Sequence, residues 1–93
     1  MVKMEFEELK SIVEKFFQDQ TIVRMNLMLN KEIIVSYNQF EEIIKDGDLT
    51  YRYAEKNRTV DFYEYRNNIH SIINYFWKDN KVCIIEIDFW RSR

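Results

Sequence analysis

Residues 49–65 can pair with themselves in one hairpin register that brings compatible side chains together at each position. With a turn at residues 56–57, the facing pairs are Glu55 with Arg58, Tyr53 with Val60, Arg52 with Asp61, and Tyr51 with Phe62. Opposite charges and aromatic–apolar pairs across two strands stabilise antiparallel pairing and fix its register. The sequence therefore predicts a β-hairpin with strands at about 49–54 and 59–65.

A helix is predicted before this hairpin, over residues 4–18. Its apolar residues recur at the three- and four-residue spacing of one helical stripe, and Glu5, Glu7 and Glu8 suit the positive end of a helix dipole. The stripe consists of Phe6, Leu9, Ile12, Val13, Phe16 and Phe17.

The next segment reads as two strands and a short helix. Runs rich in β-forming residues at 21–29 and 32–37 flank Asn30 and Lys31, which predicts a hairpin whose turn uses a positive φ at Asn30. A helix through Phe40 and residues 43–44 follows, with Asn38 as the expected N-cap. Gly47 is the expected left-handed residue at its end.

Residues 67–78 fit two structures. Their apolar residues at 69, 72, 73, 76 and 77 match a helical stripe after the caps Asn67 and Asn68, whereas Asp79 and Asn80 could turn a third hairpin. The spacing favours the helix. Residues 82–90 are apolar on both sides in their first half, which is typical of a central strand.

These elements predict a single α+β domain over residues 1–93, in the order α-β-β-α-β-β-α-β. About five mostly antiparallel strands form one sheet, with the helices packed on one face. Hydrophobic residues make up 46% of the 93 residues, which suffices for one core at this length.

Composition removes several function classes from consideration. The chain has one glycine, one cysteine (Cys83) and one histidine (His70), so neither a glycine-rich phosphate loop nor a cysteine–histidine metal site can be assembled. We therefore expect no catalytic residue, no metal and no cofactor, with Cys83 as a core residue. An acidic N-terminus and the absence of a long apolar run predict a cytoplasmic protein with no membrane contact.

Glu86 and Asp88 are the one carboxylate pair that could carry chemistry. They alternate on a predicted strand, so both project from one face, about 7 Å apart. Such a pair could bind a cation or share a proton, or it could simply keep a strand face hydrated. The second interpretation is favoured.

Aromatic residues crowd the C-terminal half, and one core cannot bury all of them. If Tyr51, Tyr53, Val60 and Phe62 face inward, strand alternation turns Tyr63 and Tyr65 outward. Because exposed Tyr, Trp and Arg are enriched in protein interfaces, we predict an interface. Its residues are Arg52, Tyr63, Tyr65, Trp90 and Arg91.

The resulting hypothesis is a small non-enzymatic module that docks on a protein partner, such as an inhibitor, an immunity-type protein or a phage-encoded antagonist. A homodimer is also open. The alternative is a nucleic-acid-binding or nucleic-acid-mimicking protein, with Tyr63 and Tyr65 stacking on bases. The formal net charge of −2 argues against direct nucleic-acid binding. A small enzyme or ligand carrier is the third and weakest alternative.

Overall fold

The computed structural model describes residues 4–92, apart from the side chains of residues 31 and 32. The described residues form two helices and five strands. In chain order these are α1 (Phe6–Gln18), β1 (Arg24–Val35), α2 (Tyr37–Ile43), β2 (Asp48–Glu55), β3 (Arg58–Tyr65), β4 (Ile69–Lys78) and β5 (Lys81–Arg91). The strands form one antiparallel sheet in the order β1-β5-β4-β3-β2, which confirms the α+β class.

The hairpin of β2 and β3 has the predicted register. Glu55 pairs with Arg58, and the ladder continues through the other facing pairs to Tyr51 and Phe62. The register shifts between Leu49 and Tyr51, where a β-bulge inserts one extra residue into β2. Local side-chain complementarity thus specified this part of the sheet.

The prediction of a hairpin around Asn30 was wrong. Asn30 does adopt a positive φ of 49°, but it lies within β1, which pairs with β5 on both sides of a register shift between Met28 and Ile33. Asn30 therefore lies in the irregular stretch between the two paired parts of β1, and no hairpin turn forms there. The physical reason is that β5 is apolar on both faces. Each half of β1 can therefore bury more apolar surface by pairing with β5 than by pairing with the other half of β1.

The predicted third helix is strand β4. Its residues Ile69, Ser71, Ile73 and Tyr75 alternate as buried positions, which is the period of a strand. Both flanking turns use left-handed asparagine and aspartate, with φ values of 64° and 60° at residues 67–68 and of 51° and 63° at residues 79–80. This interior strand has apolar residues on both faces, so its sequence does not alternate between apolar and polar residues. The spacing of the apolar residues therefore matched that of a helical stripe. Five strands are therefore present, but they are not the predicted five.

Helix α2 forms where it was expected but uses different end residues. Ser36 caps it: the Ser36 hydroxyl accepts from Gln39 N–H, and the Gln39 side chain accepts from Ser36 N–H. Asn38 is therefore not the N-cap. Gly47 is not left-handed either, because the positive φ of 66° belongs to Asp46.

Both helices pack on one face of the sheet. Leu9, Val13 and Phe16 of α1 and Phe40 and Ile43 of α2 are buried against the strands. The inward side chains of the sheet that complete this core include Tyr63, Tyr65, Ile73, Tyr75, Val82, Ile84, Ile87 and Phe89. The protein therefore has two layers, and the helices leave the second face of the sheet uncovered.

Candidate protein-binding surface

The uncovered face of the sheet, which we call the open face, carries apolar and aromatic side chains on both its β2 side and its β1 side, with polar side chains of β4 and β5 between them. Tyr51, Tyr53, Met28 and Ile34 are 58%, 46%, 55% and 46% exposed. By strand alternation the partly buried members of the open face are Val60, Phe62, Ile72, Phe76 and Trp90.

Cross-strand pairing arranges these side chains in rows across the sheet. One row runs Tyr51, Phe62, Ile72, Asp88 and Asn26, so it is aromatic at the β2 edge and polar at the β1 edge. The Tyr51 and Phe62 rings meet edge to face, with centroids 5.6 Å apart. The β2 side of the open face is therefore its most aromatic part.

Glu86 and Asp88 lie on the open face, side by side as predicted, and each has a partner from β1. Arg24 donates to Asp88 through Nε (3.3 Å) and Nη2 (2.7 Å). Asn26 Nδ2 donates to Glu86 Oε2 at 2.9 Å. These contacts are cross-strand pairs that join β1 to β5, which accounts for the carboxylates in structural terms.

His70 and Trp90 form a stacked pair on the open face, where β4 begins and β5 ends. Their ring centroids lie 5.5 Å apart at an interplanar angle of 14°, and His70 Nε2 lies 2.9 Å from Ser92 Oγ.

Among the described residues, no three His, Cys, Asp or Glu side chains are grouped closely enough to hold a metal ion.

The orientation predicted for the β2–β3 hairpin was wrong. Tyr63 and Tyr65 are only 4% and 8% exposed and point toward the helices, whereas Tyr51 and Tyr53 point to the open face. The facing pairs alone could not decide this, because either face of the hairpin offers an aromatic set. Tyr63 and Tyr65 are therefore not an exposed platform on which bases could stack.

The tyrosine-rich face of β3 contains a charged residue, Asp61, whose burial is compensated by hydrogen bonds. Its carboxylate is fully buried and accepts hydrogen bonds from Arg52 Nε (2.7 Å) and Nη2 (2.9 Å). The Tyr63 and Tyr75 hydroxyls donate to its Oδ2 at 2.7 and 3.0 Å. Four donors thus compensate one buried charge.

The pKa values of Arg52, Tyr63 and Tyr75 are shifted in this network. Burial raises the pKa values of both Tyr63 and Tyr75, and the negative charge of Asp61 raises them further. Hydrogen bonding to Asp61 raises the pKa of Arg52. All three groups therefore hold their protons through the neutral range, as a structural network requires.

Arg91 also belongs to the helix side of the sheet. Its guanidinium lies 4.7 Å from the Phe16 ring centroid and donates to the carbonyls of Phe16, Asp19 and Ile22. A cation beside the last carbonyls of a helix satisfies acceptors that have no partner within the helix. Arg91 thus fastens the end of α1 to β5.

The five residues of the sequence-based interface are therefore not brought together. Trp90 lies on the open face, Arg52 lies at the β2 edge with its guanidinium on Asp61, and the other three lie on the helix side. Sequence reasoning placed Tyr51 and Tyr53 in the core. No local signal identified the open face, because the absence of a covering layer is a property of the whole fold.

Neither described helix is long and apolar enough to cross a membrane.

The fold resembles that of two solved viral proteins. One is "The thermo- and acido-stable ORF-99 from the archaeal virus AFV1", with a TM-score of 0.80, 20% identity and 95% of each chain covered. The other is ORF14 from Sulfolobus Islandicus Filamentous Virus, with a TM-score of 0.79, 20% identity, and coverage of 100% of this chain and 89% of that one.

Sequence comparison points to the same group of proteins. "Uncharacterized protein 95" of Sulfolobus islandicus rod-shaped virus 1 is 26% identical over 96 residues, which cover 97% of this chain and 99% of that protein. The model of the DUF1374 family, described as a protein of unknown function, matches residues 5–92. Since this match spans nearly the whole chain, the protein belongs to the DUF1374 family.

Proposed function

We propose that this protein is a non-enzymatic binding module that docks on a protein partner through the open face of its sheet. The observation that carries the proposal is the uncovered aromatic face, which exposes Tyr51, Tyr53, Met28 and Ile34. Exposed apolar clusters of this kind mark interaction surfaces, and Tyr is enriched among the residues that dominate binding energy.

The polar residues of the open face suit a docking surface. Arg24–Asp88 and Asn26–Glu86 are paired within the protein, so burying them does not leave an isolated charge. They lie toward the β1 edge, beside the aromatic area. The aromatic area on the β2 side is therefore bordered on one side by polar residues, and protein interfaces combine aromatic and polar area in this way.

Inhibition or sequestration of a host protein is the mode of action that we propose. A relative of this chain is encoded by a virus, as are two proteins of the same fold, and a compact domain can act by occupying a surface of its target. The comparisons supply the viral context. The docking role rests on the open face.

The test is a pull-down from cells of the native host, with the tagged protein at low and at moderate salt. We expect one protein partner to survive moderate salt with the native protein and to be lost in the double variant Tyr51→Ser/Met28→Ser. Tyr37→Ser is the matched control, because Tyr37 is 50% exposed and lies on the helix side.

Two outcomes would contradict the proposal. The open face would not be the docking surface if the double variant retained the partner while remaining folded. Recovery of nucleic acid that is lost as salt rises would favour the nucleic-acid class instead, since such binding depends on counterion release.

A further inference from the structure

Strand β2 is a free edge of the sheet. It pairs with β3 on one side, and all eight of its residues are exposed. No other described strand pairs with its second side. Unpaired N–H and C=O groups along such an edge can pair with a strand from another chain.

The hairpin geometry shows which backbone groups face outward. In a hairpin closed by a two-residue loop, the pair that flanks the loop exchanges hydrogen bonds, and every second pair does the same. Glu55 and Arg58 flank the loop here, so the N–H and C=O groups of residues 53 and 55 point to β3. Those of Arg52 and Ala54 therefore point to the free side.

This edge has few of the features that block pairing. Proteins protect edges with proline, bulges, central charges or a covering helix. The chain has no proline, and the bulge of β2 lies near its start, between Leu49 and Tyr51. The Arg52 guanidinium forms an ion pair with the Asp61 carboxylate. In contrast, a register shift interrupts the other edge strand, β1, between Met28 and Ile33.

Opposite charges mark the two ends of the edge. Asp46 and Asp48 lie at its start, and Lys56 follows its end in the turn. None of these three side chains forms an ion pair with another described residue. An antiparallel strand that is acidic at its N-terminal end and basic at its C-terminal end would complement both ends.

We propose that an extended segment of the protein partner adds to β2 as a further antiparallel strand, acidic at its beginning and basic at its end. The inference rests on the proposed function and specifies how the partner binds. Alternate side chains of the added strand lie beside Tyr51 and Tyr53, so apolar residues there would extend the open face. Main-chain hydrogen bonds to Arg52 and Ala54 hold the segment in register.

The probe is a fluorescent peptide of about ten residues, long enough for a strand, that alternates Thr and Val between two N-terminal Asp and two C-terminal Lys. We expect saturable binding by fluorescence anisotropy, with the amide NMR signals of Arg52 and Ala54 shifting most. A peptide N-methylated at alternate amides should bind at least about tenfold more weakly, because it cannot pair with the edge.

Protein variants provide the matched comparison. Ala54→Pro removes the outward N–H and should weaken peptide binding at least about tenfold, whereas Ala54→Thr keeps that N–H and should bind within about twofold. Lys56→Glu should weaken binding at low salt and much less at high salt. Circular dichroism checks that each variant is folded.

Three results would overturn the inference: equal binding of the N-methylated peptide, no effect of Ala54→Pro, or NMR shifts confined to the middle of the open face. Self-association of the protein alone that Ala54→Pro abolishes would assign the edge to a second copy, which also overturns it. If the native partner binds Ala54→Pro normally but not Tyr51→Ser/Met28→Ser, this inference fails while the proposed function stands.

Discussion

Asp61 shows how a charged side chain can lie on the buried face of a hairpin. Its carboxylate is fully buried on the helix side of the sheet, where an uncompensated charge would be strongly destabilising. Arg52 reaches it from the exposed edge strand, and the hydroxyls of Tyr63 and Tyr75 satisfy it from within the core. These three residues, with four donor atoms between them, thus let β3 bury a face that contains an acid.

Asp61→Asn should destabilise the fold strongly. The change removes the charge that Arg52 pairs with, and if the amide oxygen keeps the two tyrosine hydroxyls, the amide NH2 faces the Arg52 Nε–H donor. We expect a loss of about 3 kcal/mol in the free energy of unfolding, measured by urea denaturation. Glu64→Gln, at an exposed position on the same strand, should change it by less than about 0.5 kcal/mol. Similar losses of unfolding free energy for both variants would contradict the assignment of a stabilising role to the Asp61 network.

Gly47 is required for space, since its φ is not in the left-handed region. A Cβ at this position would lie 2.5 Å from Tyr65 Cε2 and 2.8 Å from its Cζ. Gly47→Ala should therefore cost about 1–3 kcal/mol of unfolding free energy through overpacking. Asp46→Gly, at the left-handed position, should be neutral or stabilising by up to about 1 kcal/mol. The opposite ranking in thermal or urea denaturation would contradict this assignment.

At the scale of elements, short segments depend on their ends. Helix α2 has only seven residues, so its stability comes from packing of Phe40 and Ile43 and from the reciprocal bonds between Ser36 and Gln39. Strand β4 depends in the same way on two turns whose residues tolerate positive φ. Each element is thus fixed by a few end residues together with its buried side.

Ser36→Ala tests the capping assignment directly. Loss of the hydroxyl acceptor leaves the Gln39 N–H unsatisfied and should lower the free energy of unfolding by about 1 kcal/mol. Asn38→Ala, at the position that the sequence favoured as the cap, should change it by less than about 0.5 kcal/mol. Urea denaturation of both variants in parallel measures the difference. A larger effect at residue 38 would reverse the assignment.

At the scale of the whole molecule, two short helices cover only one face of a five-stranded sheet. The covered face concentrates tyrosines that the core must keep protonated. Burial raises the pKa values of Tyr63, Tyr65 and Tyr75 above 10, and Asp61 adds to the effect at Tyr63 and Tyr75. The alkaline stability of the fold therefore depends on these groups.

We expect the free energy of unfolding to be constant with respect to these tyrosines below about pH 10 and to fall above it. The sign follows because a phenol ionises at about pH 10 in the unfolded chain but stays protonated in the folded protein, so deprotonation favours unfolding. Urea denaturation between pH 8 and pH 11.5 measures the slope, and Tyr65→Phe should make it shallower. Tyrosine absorbance at 295 nm provides the check: titration of all six tyrosines in one step with the fold intact would contradict the expectation.

Features that depend on neighbours along the chain could be predicted from the amino-acid sequence alone. The helical stripe of α1, the register of the β2–β3 hairpin and the positive φ at Asn30 are examples, and the structure confirms all three. Each depends on side chains only a few residues apart, whose spacing or backbone preference is legible without the rest of the fold.

The partner of each strand and the face that it buries depend on contacts between elements far apart in the chain. Residues 69–78 became a strand because β3 and β5 flank them, and β1 pairs with β5 from the far end of the chain. Burial of Tyr63 and Tyr65, and with it the exposure of Tyr51 and Tyr53, follows from which side the helices cover. The candidate surface lay beyond local prediction because a one-sided helix layer forms only when distant elements pack together.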